Sequence, residues 1–364
     1  MIHTGRFLFF VFLPNPRGGD IILIKKALII YYKLNFFRCL SNASMFNFSN
    51  GDMPEIRRRI KKELNKGQIL LERTPDTDGI KRRISNVDRA TCWLNSCLQL
   101  LLCGLDFSLD FAQFNSRLGI ELQNLHDQSF INPTSFKKLL QKEIDENSDR
   151  LTRDNILFGQ QCARDFMIII SENKENWLDV YNKFHHVTVQ TLTCPHCKRE
   201  SNYRSSNFYI EIACPPDNSR LRNYLQQTFC CSEEVDYFCE DGCKKRGFFK
   251  KTLKLCSDES SEFLIIVLTR GISNIIKNYE NNVVATDNVI IDDSENRPQT
   301  YMPISIIEHE GSFLSSKTSQ GHYTCDVKSI ETNNWYRTND EFVPQLIQQN
   351  QVTKKGYVIL YKKK

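Results

Sequence analysis

Near Val187 the hydrophobic pattern of this chain changes period, and that change constrains the fold more than any other feature. Before it, apolar residues recur at helical spacing. The run "CWLNSCLQLLLCGL" sets Leu94, Leu98, Leu101, Leu102 and Leu105 on one face of a helix and Asn95, Ser96 and Gln99 on another. A second helix is predicted around "TSFKKLLQKEI", and "FGQQCARDFMIII" offers Phe158, Cys162, Phe166, Ile169 and Ile170 for burial at the same spacing. After it come short segments, "FYIEIAC", "EFLIIVLTR", "MPISIIE", "GHYTCDVKSI" and "GYVILYKKK", which read as strands. A helical half followed by a strand-rich half predicts an α+β fold. The polar insert from Asn278 to Pro298 is expected to be a surface loop between two of the strands.

Upstream of about Asp78 the chain is heterogeneous, with one stretch, "PEIRRRIKKELNKGQILLE", whose Ile56, Ile60 and Leu64 fall at helical spacing. Residues 1–78 therefore read as an N-terminal extension, poorly ordered apart from a basic amphipathic helix. The apolar run Phe7–Leu13 is interrupted by Pro14 and Pro16, and "IILIKKALIIYY" is broken by Lys25 and Lys26. Neither supplies the ~20 uninterrupted apolar residues of a membrane span. The signal-peptide pattern is weak, so the glycosylation triplets at Asn42 and Asn47 carry little weight, and a cytoplasmic or nuclear location is expected. With 48 basic and 43 acidic side chains the net charge of +5 is too balanced to argue for nucleic acid. No membrane or nucleic-acid partner is expected, and the chain is expected to be monomeric.

The chain carries 14 cysteines, and their spacing decides their use. "CPHC" at Cys194 and Cys197 is matched by "CEDGC" at Cys239 and Cys243. Two short knuckles can close a tetrahedral zinc site, because each supplies two adjacent thiolates and zinc accepts four soft donors without strain. Such a closed site braces structure and does no chemistry. The alternative is four free thiols, or disulfides in a secreted chain. His196 lies between two candidate ligands and is not expected to be one. Cys214, Cys230, Cys231 and Cys256 read as small hydrophobes, with Cys230 or Cys231 as substitutes should a knuckle fail.

Cys92 stands apart. Thr91 can cap the helix that starts there, which puts the thiol at the positive end of the helix dipole, where a thiolate is favoured. A buried inert cysteine is the default at such a position unless a base exists elsewhere. One does: His322 in "QGHYTCDVKSI" follows Gly321, which permits close approach of another segment, and opens a strand. Downstream, "NWYRTNDEFV" supplies Asn339 and Asp340, either of which can accept the other ring N–H and fix the tautomer. Cysteine early, histidine late and Asn or Asp last is the chain order of papain-like proteases.

From about Ile84 to Lys363 the chain resembles the catalytic domain of the ubiquitin-specific proteases. "NVDRATCWLNSCLQ" is similar to that family's cysteine box, "QQCARDF" to its glutamine box Q-Q-D-A-x-E-F, and "IIVLTR" to the strand ending in Leu-x-Arg. "YMPISIIEHEG", "GHYTCDVK" and "NWYRTND" resemble its histidine box. The resemblance implies a hand-shaped, papain-like fold over residues 79–364, with a helical thumb carrying Cys92, a β-rich palm carrying His322, and zinc-braced fingers over about residues 188–260. It implies Cys92 as nucleophile, His322 as general base, Asn339 as third member with Asp340 beside it, and Asn86 as an oxyanion donor. Gln160, Gln161, Asp165, Gly321 and Tyr323 are implied substrate contacts in the cleft that takes ubiquitin's Gly-Gly tail. The implied activity is a cysteine-dependent deubiquitinase. The sequence departs from the pattern at three points. Val87 stands where the family has its oxyanion Asn, with Asn86 one residue further back; the family's glycine is missing around Asp88 and Arg89; and Cys162 replaces the acid of Q-Q-D. An inactive ubiquitin-binding scaffold, or a protease for another Gly-Gly-tailed modifier, are the alternatives these departures keep open.

Overall fold

The computed structural model describes residues 80, 82–86, 90–108, 114–147, 161–270, 281–311 and 321–364. Residues 1–78, 87–89 and Gln160 lie outside them, as does Phe158. In chain order the elements begin with β1 (Arg83–Ile84), α1 (Cys92–Asp106), α2 (Arg117–His126), β2 (Phe130–Ile131), α3 (Thr134–Asn147), α4 (Ala163–Glu172) and α5 (Leu178–Phe184). Then follow β3 (His186–Thr193), β4 (Glu200–Asn207), β5 (Ile210–Ala213), β6 (Ser219–Arg220), α6 (Leu221–Cys230), β7 (Ser232–Phe238) and β8 (Arg246–Leu255). The last third is β9 (Phe263–Thr269), β10 (Val283–Val284), β11 (Val289–Asp292), β12 (Pro298–Gly311), β13 (Gly321–Lys328), β14 (Trp335–Thr338), β15 (Gln345–Ile347) and β16 (Gly356–Lys363). The period change at Val187 thus falls at the start of β3.

The central sheet follows the order β15-β14-β13-β12-β16-β9-β5, with β11 paired to β12. In β9, Phe263, Ile265 and Val267 join the helical core on one face, while Leu264, Ile266 and Leu268 join a second core with α6, β10 and β11 on the other. β16 repeats this, Val358 and Leu360 to one side, Ile359 and Tyr361 to the other. Burial of both faces explains why these strands read as near-continuous apolar runs. Helix α1 lies against β13 and β12 and is buried along Cys92–Leu105, including Asn95, Ser96 and Gln99, which the sequence pattern had set on a polar face. A helix enclosed on all sides must satisfy its polar side chains internally. The amide nitrogens do so, Asn95 Nδ2 with Asp340 and Gln99 Nε2 with Arg82 O at 3.1 Å, while Asn95 Oδ1 and Gln99 Oε1 have no hydrogen-bond partner among the described residues. Burying each leucine of α1 is worth ~2 kcal/mol, so the segment carrying Cys92 is among the best-anchored parts of the domain.

The insert from Asn278 to Pro298 departs from expectation. From residue 281 on it is not a free surface loop: β10 pairs with β6, β11 pairs with β12, and Val283, Val289 and Ile291 are fully buried. The fully buried Asp293 ties the segment down, accepting from Ser257 Oγ at 2.5 Å, Arg297 Nε at 2.8 Å and the backbone N–H groups of Glu295 and Arg297. These donors outweigh the desolvation that acts on its carboxyl and hold its pKa far below the carboxylate range.

A second, antiparallel sheet, β4-β3-β8-β7, extends away from the core and is largely exposed, closed at its tip by Leu192, Cys194, Cys239 and Phe249. At its root His186 is buried with no partner at either ring nitrogen. Burial, then the neighbouring His185, push its pKa down to about 3. The unfolded chain, titrating near pH 6.5, therefore binds more protons than the folded one as pH falls from there toward about 3, and stability falls with it. His186→Leu is expected to melt no lower than the parent at neutral pH and to lose less stability on acidification to about pH 5, a difference of ~2 kcal/mol readable in paired thermal melts.

Candidate active site

The buried α1 and the palm strand β13 bring Cys92 and His322 together although 230 residues separate them (322 minus 92). Cys92 is the first residue of α1, where main-chain N–H groups have no intrahelical acceptor. The cap is not the one expected. Thr91 makes no side-chain bond into the helix; its Oγ1 donates to Asn86 Oδ1 at 2.8 Å, and its backbone N–H donates to the same oxygen at 3.1 Å. Asn86 thus clamps the chain entering the helix.

His322 stands at the start of β13. Its Nε2 lies 2.7 Å from Asn339 Oδ1, which leaves Nδ1 to face the sulfur. The hydrogen bond with the Cys92 side chain is the largest influence on the imidazole; with the bond to Asn339 it outweighs burial and pushes the pKa up to about 9. Of the two candidates for third member, then, Asn339 takes the ring. Asp340 does something else. Its φ of 46° lies in the left-handed region that Asp tolerates better than most residues, and it turns the carboxylate toward the thumb. There Oδ1 accepts from Asn95 Nδ2 and Oδ2 from Asn86 Nδ2, each at 2.7 Å. Burial raises the Asp340 carboxyl pKa, with these two bonds acting against it.

The network extends further. Ile84 N–H donates to Asp340 O at 3.0 Å, Asn86 N–H to Glu341 Oε2 at 3.2 Å, and Asn95 Nδ2 to Ser85 O at 3.3 Å. Asn95 and Glu341 went unassigned in the sequence. Asn95 had a visible signal, an amide three residues past the cysteine in an otherwise apolar stretch; Glu341 had none.

Gly321 allows the close approach foreseen for it, since the ring of His309 on β12 occupies the space a Cβ would need. That ring also packs on Tyr323, centroids 4.4 Å apart, and burial followed by the charge of His322 pushes His309 down to about 4. Tyr323 is itself only 2% exposed and turns inward, within hydrogen-bonding reach of Cys162. The Cys162 thiol is 3.0 Å from Tyr357 Oη, and burial raises its pKa. This position therefore presents a neutral group where a carboxylate was the pattern. Asp165 sits in the first turn of α4 with its carboxyl pKa raised by burial, and Gln161 just precedes that helix, half-buried.

The four knuckle cysteines converge at the tip of the second sheet. Their sulfurs all lie within 4.8 Å of one another, with Cys194–Cys243 at 3.7 Å and Cys197–Cys239 at 3.8 Å. Ligands ~2.3 Å from a tetrahedral zinc stand about 3.8 Å apart, so the donor set fits that ion. Lys198 and Lys244, each following the second cysteine of its knuckle, take positive φ of 61° and 54° to fold the thiolates inward. Gly242 is required, because a Cβ there would meet Cys239 Sγ at 2.7 Å. His196 is outside the cluster, its Nε2 3.3 Å from Arg246 O. Cys230 and Cys231 are exposed and elsewhere, neither small core residues nor substitute ligands; Cys214 and Cys256 are buried as expected.

Comparison with known proteins agrees with this geometry. Residues 83–361 match the family described as UCH, ubiquitin carboxyl-terminal hydrolase. Ubiquitin carboxyl-terminal hydrolase 48 of Gallus gallus is 25% identical over 248 residues, covering 62% of this chain and 22% of that protein. The chain thus spans about a fifth of the length of the curated relative it matches. Among solved structures, the SAGA Ubp8/Sgf11/Sus1/Sgf73 DUB module bound to ubiquitin aldehyde superposes with a TM-score of 0.58 at 16% identity, over 85% of this chain and 76% of the other. Yeast SAGA DUBm with a mutant Sgf73 gives 0.60 at 17% identity, over 83% and 75%. The fold is therefore that of these catalytic domains, with helical thumb, β palm and fingers. A family match over most of its length, carried on that fold, means that this chain belongs to the ubiquitin carboxyl-terminal hydrolase family.

Proposed function

We propose that this chain is a thiol-dependent deubiquitinase that hydrolyses the bond after the C-terminal glycine of ubiquitin. The observation that carries the reading is the arrangement of Cys92, His322 and Asn339, in which an imidazole anchored at Nε2 turns Nδ1 to the sulfur. Cys92 Sγ attacks the carbonyl carbon of the glycine while the imidazole holds the thiol's proton. The tetrahedral intermediate collapses as His322 gives that proton to the departing amine, leaving a thioester. Water, deprotonated by the same ring, then releases the carboxylate. The charge on the carbonyl oxygen falls to main-chain N–H groups at the start of α1 and to the second amide hydrogen of Asn86, whose first is held by Asp340. Asp340 fixes Asn86 and Asn95 in place, and touches no reacting atom. The structural neighbours with ubiquitin bound support ubiquitin as partner. We place the catalytic domain at residues 79–364, with residues 1–78 as an extension, and read the protein as a cytoplasmic or nuclear monomer.

One observation favours a second reading of the substrate. A carboxylate at position 162 would attract a basic tail; the thiol between Tyr357 and Tyr323 does not. This suits a modifier whose Gly-Gly tail carries less positive charge.

Ubiquitin bearing a C-terminal electrophile tests the first reading directly, beside the same warhead on another modifier. The parent and Cys97→Ala are expected to form the adduct and Cys92→Ala to form none. Adduct with the other modifier alone moves the substrate, and a folded, metal-loaded protein that labels with neither is a scaffold.

The imidazole's raised pKa sets the alkaline limit of activity. Turnover is expected to fall as pH rises through about 9, where His322 loses the proton it must give the leaving amine. In Asn339→Ala one of the two bonds that raise the pKa is gone, so a pH–rate profile is expected to show the limb shifted lower, together with a fall of about a hundredfold or more in kcat/KM.

We assign zinc to the four-cysteine cluster as a structural ion. Metal analysis of purified protein is expected to return one zinc per chain and none in Cys239→Ser, with proteolysis of the variant opening first in β3–β8.

A further inference from the structure

The end of the central sheet opposite the triad holds a groove of about 1050 Å³. It is lined by a cross-strand row: Lys328, the last residue of β13, is in register with Trp335 of β14, which is in register with Ile347 of β15. Lining residues come from, or lie next to, the neighbouring strands β15, β14, β13, β12 and β16, with Arg222 of α6 and Thr286–Asn288, between β10 and β11, completing the wall. At ~4.8 Å between strands the row of three spans ~10 Å and the five strands together ~20 Å, the reach of roughly six residues of extended polypeptide and far more than a free phosphate needs.

The groove is also electrostatically unbalanced. Among the described residues, the hydrogen-bond partner of Lys328 Nζ is the thioether of Met302, at 3.4 Å, a weak acceptor. Among the described residues no carboxylate pairs with Lys328 or with Lys364, which also lines the groove. The acid that lines it, Asp287, is already held by Arg220 at 2.8 Å and Arg222 at 3.7 Å. Burial, then the charge of Lys364, keep the Lys328 pKa below its ordinary value. Two neighbouring cations without a counter-ion are relieved by a bound anion. Amides of Asn333, Asn334, Gln348 and Gln349 edge the same groove and can both donate to and accept from a peptide backbone. Leu346, 65% exposed, supplies an apolar contact at the rim.

We propose that this groove docks an acidic, extended segment of a partner protein, with its carboxylates at Lys328 and Lys364, its backbone along the amides and an apolar side chain on Leu346. The site stands about 20 Å along β13 from His322, so an occupant leaves the cleft at Cys92 open. The inference does not depend on the catalytic reading.

A labelled short peptide of alternating Glu and Val, and a twin with Lys in place of Glu, test it by fluorescence polarisation on the full chain. The acidic peptide is expected to bind, more weakly at higher salt, and the twin not to bind. Combining Lys328→Glu with Lys364→Glu is expected to weaken binding about tenfold or more, and the milder Lys328→Gln with Lys364→Gln to give a smaller loss, with adduct formation at Cys92 and the thermal melt unchanged in both. Equal binding of the two peptides, or affinity indifferent to the charge reversal, overturns the proposal. So does displacement of the peptide by inorganic phosphate or a short DNA strand at lower concentration than the peptide itself requires, which makes the groove a site for free anions or nucleic acid.

Discussion

The half-buried carboxylate of Asp340 is the joint on which the site depends. One side of the cleft is a helix enclosed in apolar packing; the other is a pair of strands and the turn that follows them. Nothing in hydrophobic packing fixes their relative position to a fraction of an ångström, because packing is non-directional. Two hydrogen bonds from amides of the thumb to one carboxylate of the palm do. Bonds to a charged acceptor in a site of low dielectric are stronger than neutral ones, and leaving any of the three groups unpaired is costly. The clamp is therefore self-enforcing, and it holds Asn86 against Thr91, the residue before Cys92.

The same economy appears around the imidazole. Asn339 and Asp340 are adjacent in the chain, yet they face different partners because the second has left-handed backbone geometry. One orients the ring, the other joins the two halves of the cleft. Gly321 contributes by lacking a side chain, which lets His309 lie against the strand that presents His322. Away from the site, the palm sheet is covered on both faces and the four-cysteine tip closes a sheet too exposed to carry a large core of its own. A small apolar cluster of this kind is where a bound ion adds most to stability.

Much of this was legible in the chain. Helical and strand periods reported which segments were half-buried, and the knuckle spacing reported where two pairs of thiolates had to meet. Cys92 and His322 could be named as candidates because cysteine early, histidine late and Asn or Asp last is a recognisable order, but that order left both Asn339 and Asp340 open. Other readings failed for physical reasons. Thr91 looked like a cap, but a competing acceptor, Asn86, took its hydroxyl and its N–H. Asn95 and Gln99 were set on a separate face with no partner assigned, since a polar residue on a helix does not say whether its partner is water or a buried group. The insert read as a loop because polar residues dominate its composition, whereas alternate residues Val289 and Ile291 pack inward and Asp293 is buried with its donors.

What the sequence determined by itself was local: the period of each segment, the chemistry of each side chain and the number of thiolates close enough in the chain to share an ion. What only the tertiary structure decided was pairing across distance: which of two neighbouring residues meets the imidazole, which amides meet a carboxylate more than 240 positions away, and which cations are left without a counter-ion. The physical reason is that burial is written in composition and periodicity, while hydrogen-bond partners depend on direction. Direction is set by backbone turns and packed neighbours that no single stretch of the chain contains.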